Sequence, residues 1–168
     1  MLYIFGGLPG TGKTTLSKSL AKSINATHIR IDTIEQTLRN NGMETVYDEG
    51  YQIAFSVALD NLRNGVSVVA DSTNPVAESR AGWISVAAQA EAFYKEIEVI
   101  CSDTIEHRSR VETRQSDIAN LVLPHWESVV SREYQPWSSC HTIVDTAGKT
   151  VEQSEQELLR VLGVLTSK

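Results

Sequence analysis

Residues 6–16 read Gly6-Gly7-Leu8-Pro9-Gly10-Thr11-Gly12-Lys13-Thr14-Thr15-Leu16. This glycine-rich stretch lies between an apolar run, Leu2 to Phe5, and a segment in which Leu16, Leu20 and Ile24 recur at four-residue spacing, as on one face of a helix. Gly7 to Thr14 fits the pattern G-x-x-x-x-G-K-[ST] in the setting the pattern needs, after a strand and opening a helix. The glycines let the backbone bend so that successive N–H groups point inward, and the helix adds its positive N-terminal end, so the concavity suits phosphate oxygens. Gly7, Leu8, Pro9, Gly10, Thr11, Gly12, Lys13, Thr14 and Thr15 are therefore expected to cradle a nucleoside triphosphate. Lys13 would reach its outer phosphates, and the Thr14 hydroxyl would face a Mg²⁺ ion.

Outward from this loop, apolar runs alternate with helical segments, the pattern of a parallel sheet covered by helices. Strands are expected at 2–5, 27–31, 66–71, 96–102 and 141–145, and helices at 14–24, from Asp32, at 47–65 closed by Gly65, from Asn74-Pro75 to about Tyr94, and over 104–117. Asn74 would cap its helix with Pro75 at the first helical position, and Asp103 with Glu106 would form a capping-box-like start. Thr150 and Gln153 would cap a last helix whose Leu158, Leu162 and Leu165 face the core. The expectation is one α/β domain over 1–168, a three-layer α/β/α sandwich on five parallel strands, with a lid around 103–118.

Composition agrees with that class. The 168 residues carry a net charge of −6 and are 41% hydrophobic and 21% charged, ordinary values for a globular chain and adverse to broad adhesion to nucleic acid. Cys101 and Cys140 are too few for a disulfide framework and lack zinc-ligand spacing. The start, MLYIFGG, has no basic leader, so a cytoplasmic protein is expected.

Three further places carry chemistry. Asp32 follows the second strand at the carboxyl edge of the sheet, where ligands bind in open α/β folds, and a carboxylate there can take the proton of an attacking hydroxyl. It would also serve as a helix cap. Asp71 ends the third strand at the same edge, placed to hold the Mg²⁺ shell or to orient Lys13, Thr14 or substrate. Arg80, about one and a half turns past Pro75, either turns back to the site or faces solvent. In HRSRVETR, Arg110 and Arg114 are four apart on one helix face with His107 and Val111 adjoining, an arrangement able to close over phosphates and neutralise transferred charge.

Two stretches mislead. DTAG (145–148) looks like a GTPase switch element, but only a terminal helix follows it and no guanine-reading N-K-x-D exists; beside the glycine loop, it is placed to touch a nucleotide base. The second GKT (148–150) fails because the earlier glycine of the motif would fall at Ile143.

Across nearly its whole length, through GLPGTGKTT, IRIDTI, VVADSTNP, HRSRVETR and LPHWESVVSREYQPW, the chain resembles the polynucleotide-kinase-like group of P-loop kinases, which includes zeta-toxin-like and chloramphenicol-phosphotransferase-like enzymes. The resemblance implies a sheet order of 2-3-1-4-5 and ATP with Mg²⁺. It further implies Asp32 as general base, Lys13 and Thr14 on phosphates and magnesium, and Arg110 and Arg114 as lid residues on ATP. The acceptor stays open. These 168 residues hold no phosphatase or ligase segment and no basic tail, which turns the expectation toward a small-molecule hydroxyl rather than a nucleic acid 5′ end. Trp126, Tyr134 and Trp137, with His125 and Arg132, would line the acceptor pocket, or the helix from Tyr47 would. A rival of another class is a nucleotide-dependent switch or toxin-like module.

Overall fold

The computed structural model describes residues 1–164, and Leu165 lies outside them. Strand β1 (Leu2–Gly6) is buried along its whole length, and its alternation divides the core in two. Leu2 and Ile4 face one side of the sheet, while Tyr3 and Phe5 face the other. The glycine loop then leads into α1 (Lys13–Ser23), followed by β2 (Thr27–Arg30), α2 (Ile31–Asn40), α3 (Glu49–Arg63) and β3 (Val68–Asp71). The second half runs through α4 (Ala77–Gln89), β4 (Tyr94–Ile100), α5 (Thr104–Thr113), α6 (Trp126–Val130), β5 (Thr142–Asp145) and α7 (Val151–Val161).

All five strands are parallel, in the order β2-β3-β1-β4-β5. On the Leu2/Ile4 face, Ala54, Ala58 and Leu62 of α3 and Trp83, Val86 and Ala87 of α4 complete one core cluster. On the other face, Leu16, Leu20 and Ala21 of α1 and Leu158 of α7 pack on Phe5, Val69, Ile97, Val99 and Val144, with Leu162 just past α7. Sheets with both faces covered need near-continuous apolar strands, which is how β1 and β3 read. The layers are thus those of an α/β/α sandwich, and the strand order puts β1 and its loop at the centre of the sheet.

Local chemistry explains several element ends. Gly65 adopts φ 79, its N–H reaches the Leu62 carbonyl, and the Val66 N–H reaches Asn61, a Schellman closure of α3. Thr150 and Gln153 form a reciprocal capping box on α7. The Asp103 carboxylate takes the N–H groups of Ile105 and Glu106 at the start of α5. Glu106 does not close a box in return, because its side chain accepts from the Gly148 N–H and pairs with Arg110.

Three helix bounds in the second half differ from the sequence expectation. Asn74 does not cap α4: it sits at φ 49 with its amide drawn into the core, donating to the Phe5 carbonyl at 2.8 Å, and α4 opens at Ala77. The Ala77 N–H is met instead by the side chain of Gln135. That helix also ends at Gln89 rather than near Tyr94, because Glu91 turns left-handed at φ 51 and sends Tyr94 into β4. Likewise α5 stops at Thr113, where Arg114 leaves helical geometry with ψ 150.

Candidate functional site

The glycine loop, Gly7–Gly12, bends where side chains would not fit. Gly7 has φ 141, and a Cβ there would lie 2.2 Å from the Val99 carbonyl oxygen; Gly10 has φ 87, and its Cβ would lie 2.5 Å from a methyl of Val111. Only glycine meets both demands. The Gly7 N–H is held by the Thr73 carbonyl, and the Thr11 hydroxyl turns back on the Leu8 carbonyl at 3.0 Å. At the mouth of α1 the loop leaves backbone groups and a helix N-terminus facing a cleft, the cradle a polyphosphate fits.

Lys13 is buried, and its Nζ donates to Asp71 Oδ1 at 2.8 Å. Around the second oxygen of Asp71 stand His28 Nε2 at 3.5 Å and Arg30 Nε at 4.0 Å. His28 in turn lies 3.0 Å from the Ser17 hydroxyl. Burial alone would push the Asp71 carboxyl up, but Lys13 and His28 outweigh it and hold the group well below the usual carboxylate range. The register that pairs Phe5 and Arg30 with Asp71 brings these groups to one sheet edge.

Helix α5 clasps the loop. His107 Nε2 donates to the Pro9 carbonyl at 2.8 Å, and Val111 fills the space beside Gly10. Arg110 donates to the Thr146 hydroxyl and carbonyl, and the Thr146 hydroxyl reaches the Thr11 carbonyl at 2.8 Å. The DTAG segment therefore braces the glycine loop, with Asp145 accepting from the Ser102 and Ala147 N–H groups.

A cleft of about 760 Å³ opens at this edge. Lys13, Thr14, Asp32, Arg110 and Arg114 all line it, together with Arg30, Glu35 and Arg39. Asp32, in the first turn of α2, is exposed, and its carboxylate has no hydrogen-bond or ion-pair partner among the described residues. Seven cationic side chains face three carboxylates around the cleft, so it is an electropositive site on an acidic protein. Arg114 lies half-buried at the end of α5, and its Nε has no acceptor among the described residues. Burial lowers its pKa, Asp32 counters that, and Arg30 and Arg132 add to the lowering.

Asp117 bridges the cleft, accepting from Arg30 Nη1 at 2.7 Å and from Lys18 Nζ at 2.5 Å. Arg30 went unread in the sequence, although it stands two residues before Asp32 at the same strand end and the same positional rule reaches it. Lys18, Asp117 and the bracing Thr146 carried no local signal.

Other expected residues are not brought to the cleft. Arg80 neither turns to the site nor faces solvent: it is buried, donates to the carbonyls of Asn74, Pro75, Gln135 and Pro136, and stacks 4.4 Å from the Trp137 ring. Trp137 and Tyr134 do not line this cleft either. Trp137 donates to the Tyr134 hydroxyl, Tyr134 donates to Glu98, and His141 reaches the same carboxylate, a knot that ties the 131–141 segment to β4. Trp126 packs edge-on against His107, and of that group only Arg132 lines the cleft. The near wall is α2, not the helix at 49–63. Cys101 and Cys140 are free thiols, and among the described residues no three His, Cys, Asp or Glu side chains converge to hold a metal. Among those residues, too, no helix is long and apolar enough to cross a membrane.

Residues 2–132 match the model of the AAA domain family designated AAA_33, and the chain belongs to that family. Uncharacterized proteins of Mycobacterium tuberculosis and Mycobacterium bovis are 30% identical to it over 162 residues, covering 88% of this chain and 32% of theirs. The chain thus spans about a third of the length of the curated relatives it matches. Among solved structures, a proposed kinase from Chloroflexus aurantiacus J-10-fl superposes with a TM-score of 0.70 at 21% identity, covering 98% of this chain and 97% of that one. Chaetomium thermophilum Kti12 in complex with ADP-AlF3 gives 0.68 at 19% identity over 99% and 100% of the two chains. The Mycobacterium tuberculosis APS kinase CysC in complex with AMPPNP and APS gives 0.67 at 18% identity over 96% of each. The fold is that of the P-loop kinases.

Proposed function

We propose that this chain is an ATP-dependent phosphotransferase that moves the γ-phosphoryl group to a hydroxyl of a small molecule, in a single kinase domain whose lid lies around 103–118. The observation that carries the reading is the position of Asp32, an exposed carboxylate with no partner among the described residues, in the same cleft as Lys13 and Thr14. The AMPPNP and ADP-AlF3 complexes of the two structural neighbours support a nucleoside triphosphate in that cradle. The Asp71-Ser72-Thr73-Asn74-Pro75 step supports the polynucleotide-kinase-like branch within the wider fold.

ATP would supply the phosphoryl group, and Thr14 would hold a Mg²⁺ ion, which when bound would offset charge on the phosphates. The loop amides and Lys13 bind and orient the phosphates, and the Lys13 Nζ is held by Asp71. Asp32 accepts the proton of the acceptor hydroxyl as that oxygen attacks phosphorus in line. Arg110 and Arg114 stabilise charge spread over the transferred group, with Arg110 steadied by Glu106 and Thr146.

One observation favours a second reading: the excess of cations around the cleft also suits the phosphates of a 5′-hydroxyl oligonucleotide. Transfer of label from γ-labelled ATP into pooled sugars, nucleosides, antibiotics and 5′-hydroxyl oligonucleotides separates the two. A labelled small product, lost in Asp32→Asn, is expected. ATP binding without product in any pool would overturn the transferase reading in favour of a nucleotide-dependent switch.

A further inference from the structure

We infer that the hydroxyl acceptor is itself an anion, a small molecule whose carboxylate, phosphate or sulfate group is gripped by Arg30, Arg114 and Arg132 beside Asp32. The inference deepens the phosphotransferase reading and rests on it. The three guanidiniums come from three separate segments, the end of β2, the end of α5 and the chain after α6, and all line the cleft with Asp32. The side chains of Arg114 and Arg132 make no hydrogen bond or ion pair among the described residues. Arg30 gives Nη1 to Asp117, and its buried Nε faces Asp71 Oδ2 at 4.0 Å without a hydrogen bond; the buried Nε of Arg114 has no acceptor among the described residues. Buried guanidinium N–H groups are rarely left unmatched, and each such group is a donor waiting for an acceptor.

Burial is the main cause that lowers the Arg114 pKa; Asp32 counters it, and the nearby Arg30 and Arg132 add to the lowering. A planar guanidinium fork matches carboxylate, phosphate and sulfate in bidentate geometry, which an ammonium does not. Arg39, by contrast, is already committed to Glu35. The donor's phosphates have their own set in the loop amides, Lys13 and Arg110, leaving Arg30 and Arg132 for a second anion, with Arg114 between the two.

The site favours a small acceptor over a polymer. The cleft of about 760 Å³ is lined also by Leu121, Val122, Leu123 and Pro124. That is room for a triphosphate tail and a compact partner. A nucleic acid strand would need the cationic track to continue outside it, on a chain whose net charge is −6.

Inorganic sulfate is the first probe, titrated by calorimetry into protein saturated with AMP-PNP and Mg²⁺. Saturable sulfate binding is expected, weakened at least about tenfold by Arg132→Gln and by Arg30→Gln, with AMP-PNP affinity unchanged and partial recovery in Arg132→Lys. Absence of saturable binding, or equal binding in both Gln variants, would overturn the inference whether or not the protein transfers phosphate. The second arm is transfer of labelled phosphate to matched pairs, gluconate against glucitol and glucose 6-phosphate against glucose, beside a 5′-hydroxyl oligonucleotide. The charged small member should win by about tenfold or more in kcat/KM, with the advantage lost through KM in Arg132→Gln. Preference for the neutral members would overturn the inference and leave the transferase reading standing. Preference for the oligonucleotide would overturn the small-molecule assignment. No transfer anywhere would overturn the transferase reading, while the sulfate titration alone decides the anion site.

Discussion

Lys13 Nζ and Asp71 Oδ1 meet at 2.8 Å, with 10% and 1% of their side chains exposed, so the cation of the glycine loop is paired to the sheet beneath it. Breaking such a pair strands a buried charge. Asp71→Asn is expected to lower stability at neutral pH by roughly 3–5 kcal/mol. The native carboxyl titrates below its unfolded value, so its contribution is present above about pH 4 and is lost as pH falls below that. Urea unfolding should therefore show a large gap between wild type and variant at pH 7 that narrows toward pH 3. A gap independent of pH would refute the pairing.

Asp117 ties the segment after α5 to α1 and β2. Hydrogen bonds from Lys18 and then Arg30 hold its carboxyl at about 2. The bridge is intact above the unfolded carboxylate range and opens as pH falls through about 2. Because Lys18 and Asp117 are about half exposed, Asp117→Asn should cost no more than about 1 kcal/mol, and less in high salt. NMR titration of the Asp117 carboxyl reads the bridge directly: a low midpoint in wild type that moves up in Lys18→Gln and Arg30→Gln. An ordinary midpoint in wild type would show that the bridge is not populated.

Gly10→Ala tests the clasp between α5 and the loop. The new Cβ would meet Val111 at 2.5 Å on a backbone at φ 87, so both strain and overpacking oppose it. A loss of about 1–3 kcal/mol is expected, with weaker nucleotide binding, because α5 is forced off the loop. Val111→Ala in the same chain should recover part of both. Unfolding and nucleotide titrations of the single and double variants check this; no recovery would argue against the contact.

What the sequence disclosed and what it hid separate along one physical line. The glycine loop, Gly65 and the Thr150–Gln153 cap were legible because their partners lie a few residues away. The layered α/β class followed from the alternation of apolar runs, although the strand order came through family resemblance rather than from periodicity. Asn74 misled because its amide partner, Phe5, is 69 residues distant, and a cap is the better local use of an asparagine. Arg80, Tyr134 and Trp137 misled for a related reason: aromatics and an arginine read as a ligand pocket until their mutual packing is known. Arg30 and Thr146 act only across the sheet edge, where register and not spacing brings groups together.

Asp32 gives the most direct test of the central claim. Nucleotide affinity and γ-phosphoryl transfer should be measured side by side for wild type and Asp32→Asn, with the best acceptor from the pooled screen. Affinity should stay within about threefold while transfer falls by roughly 10²–10⁴, the size of a lost general base. Near-full transfer by Asp32→Asn at unchanged affinity would contradict the account.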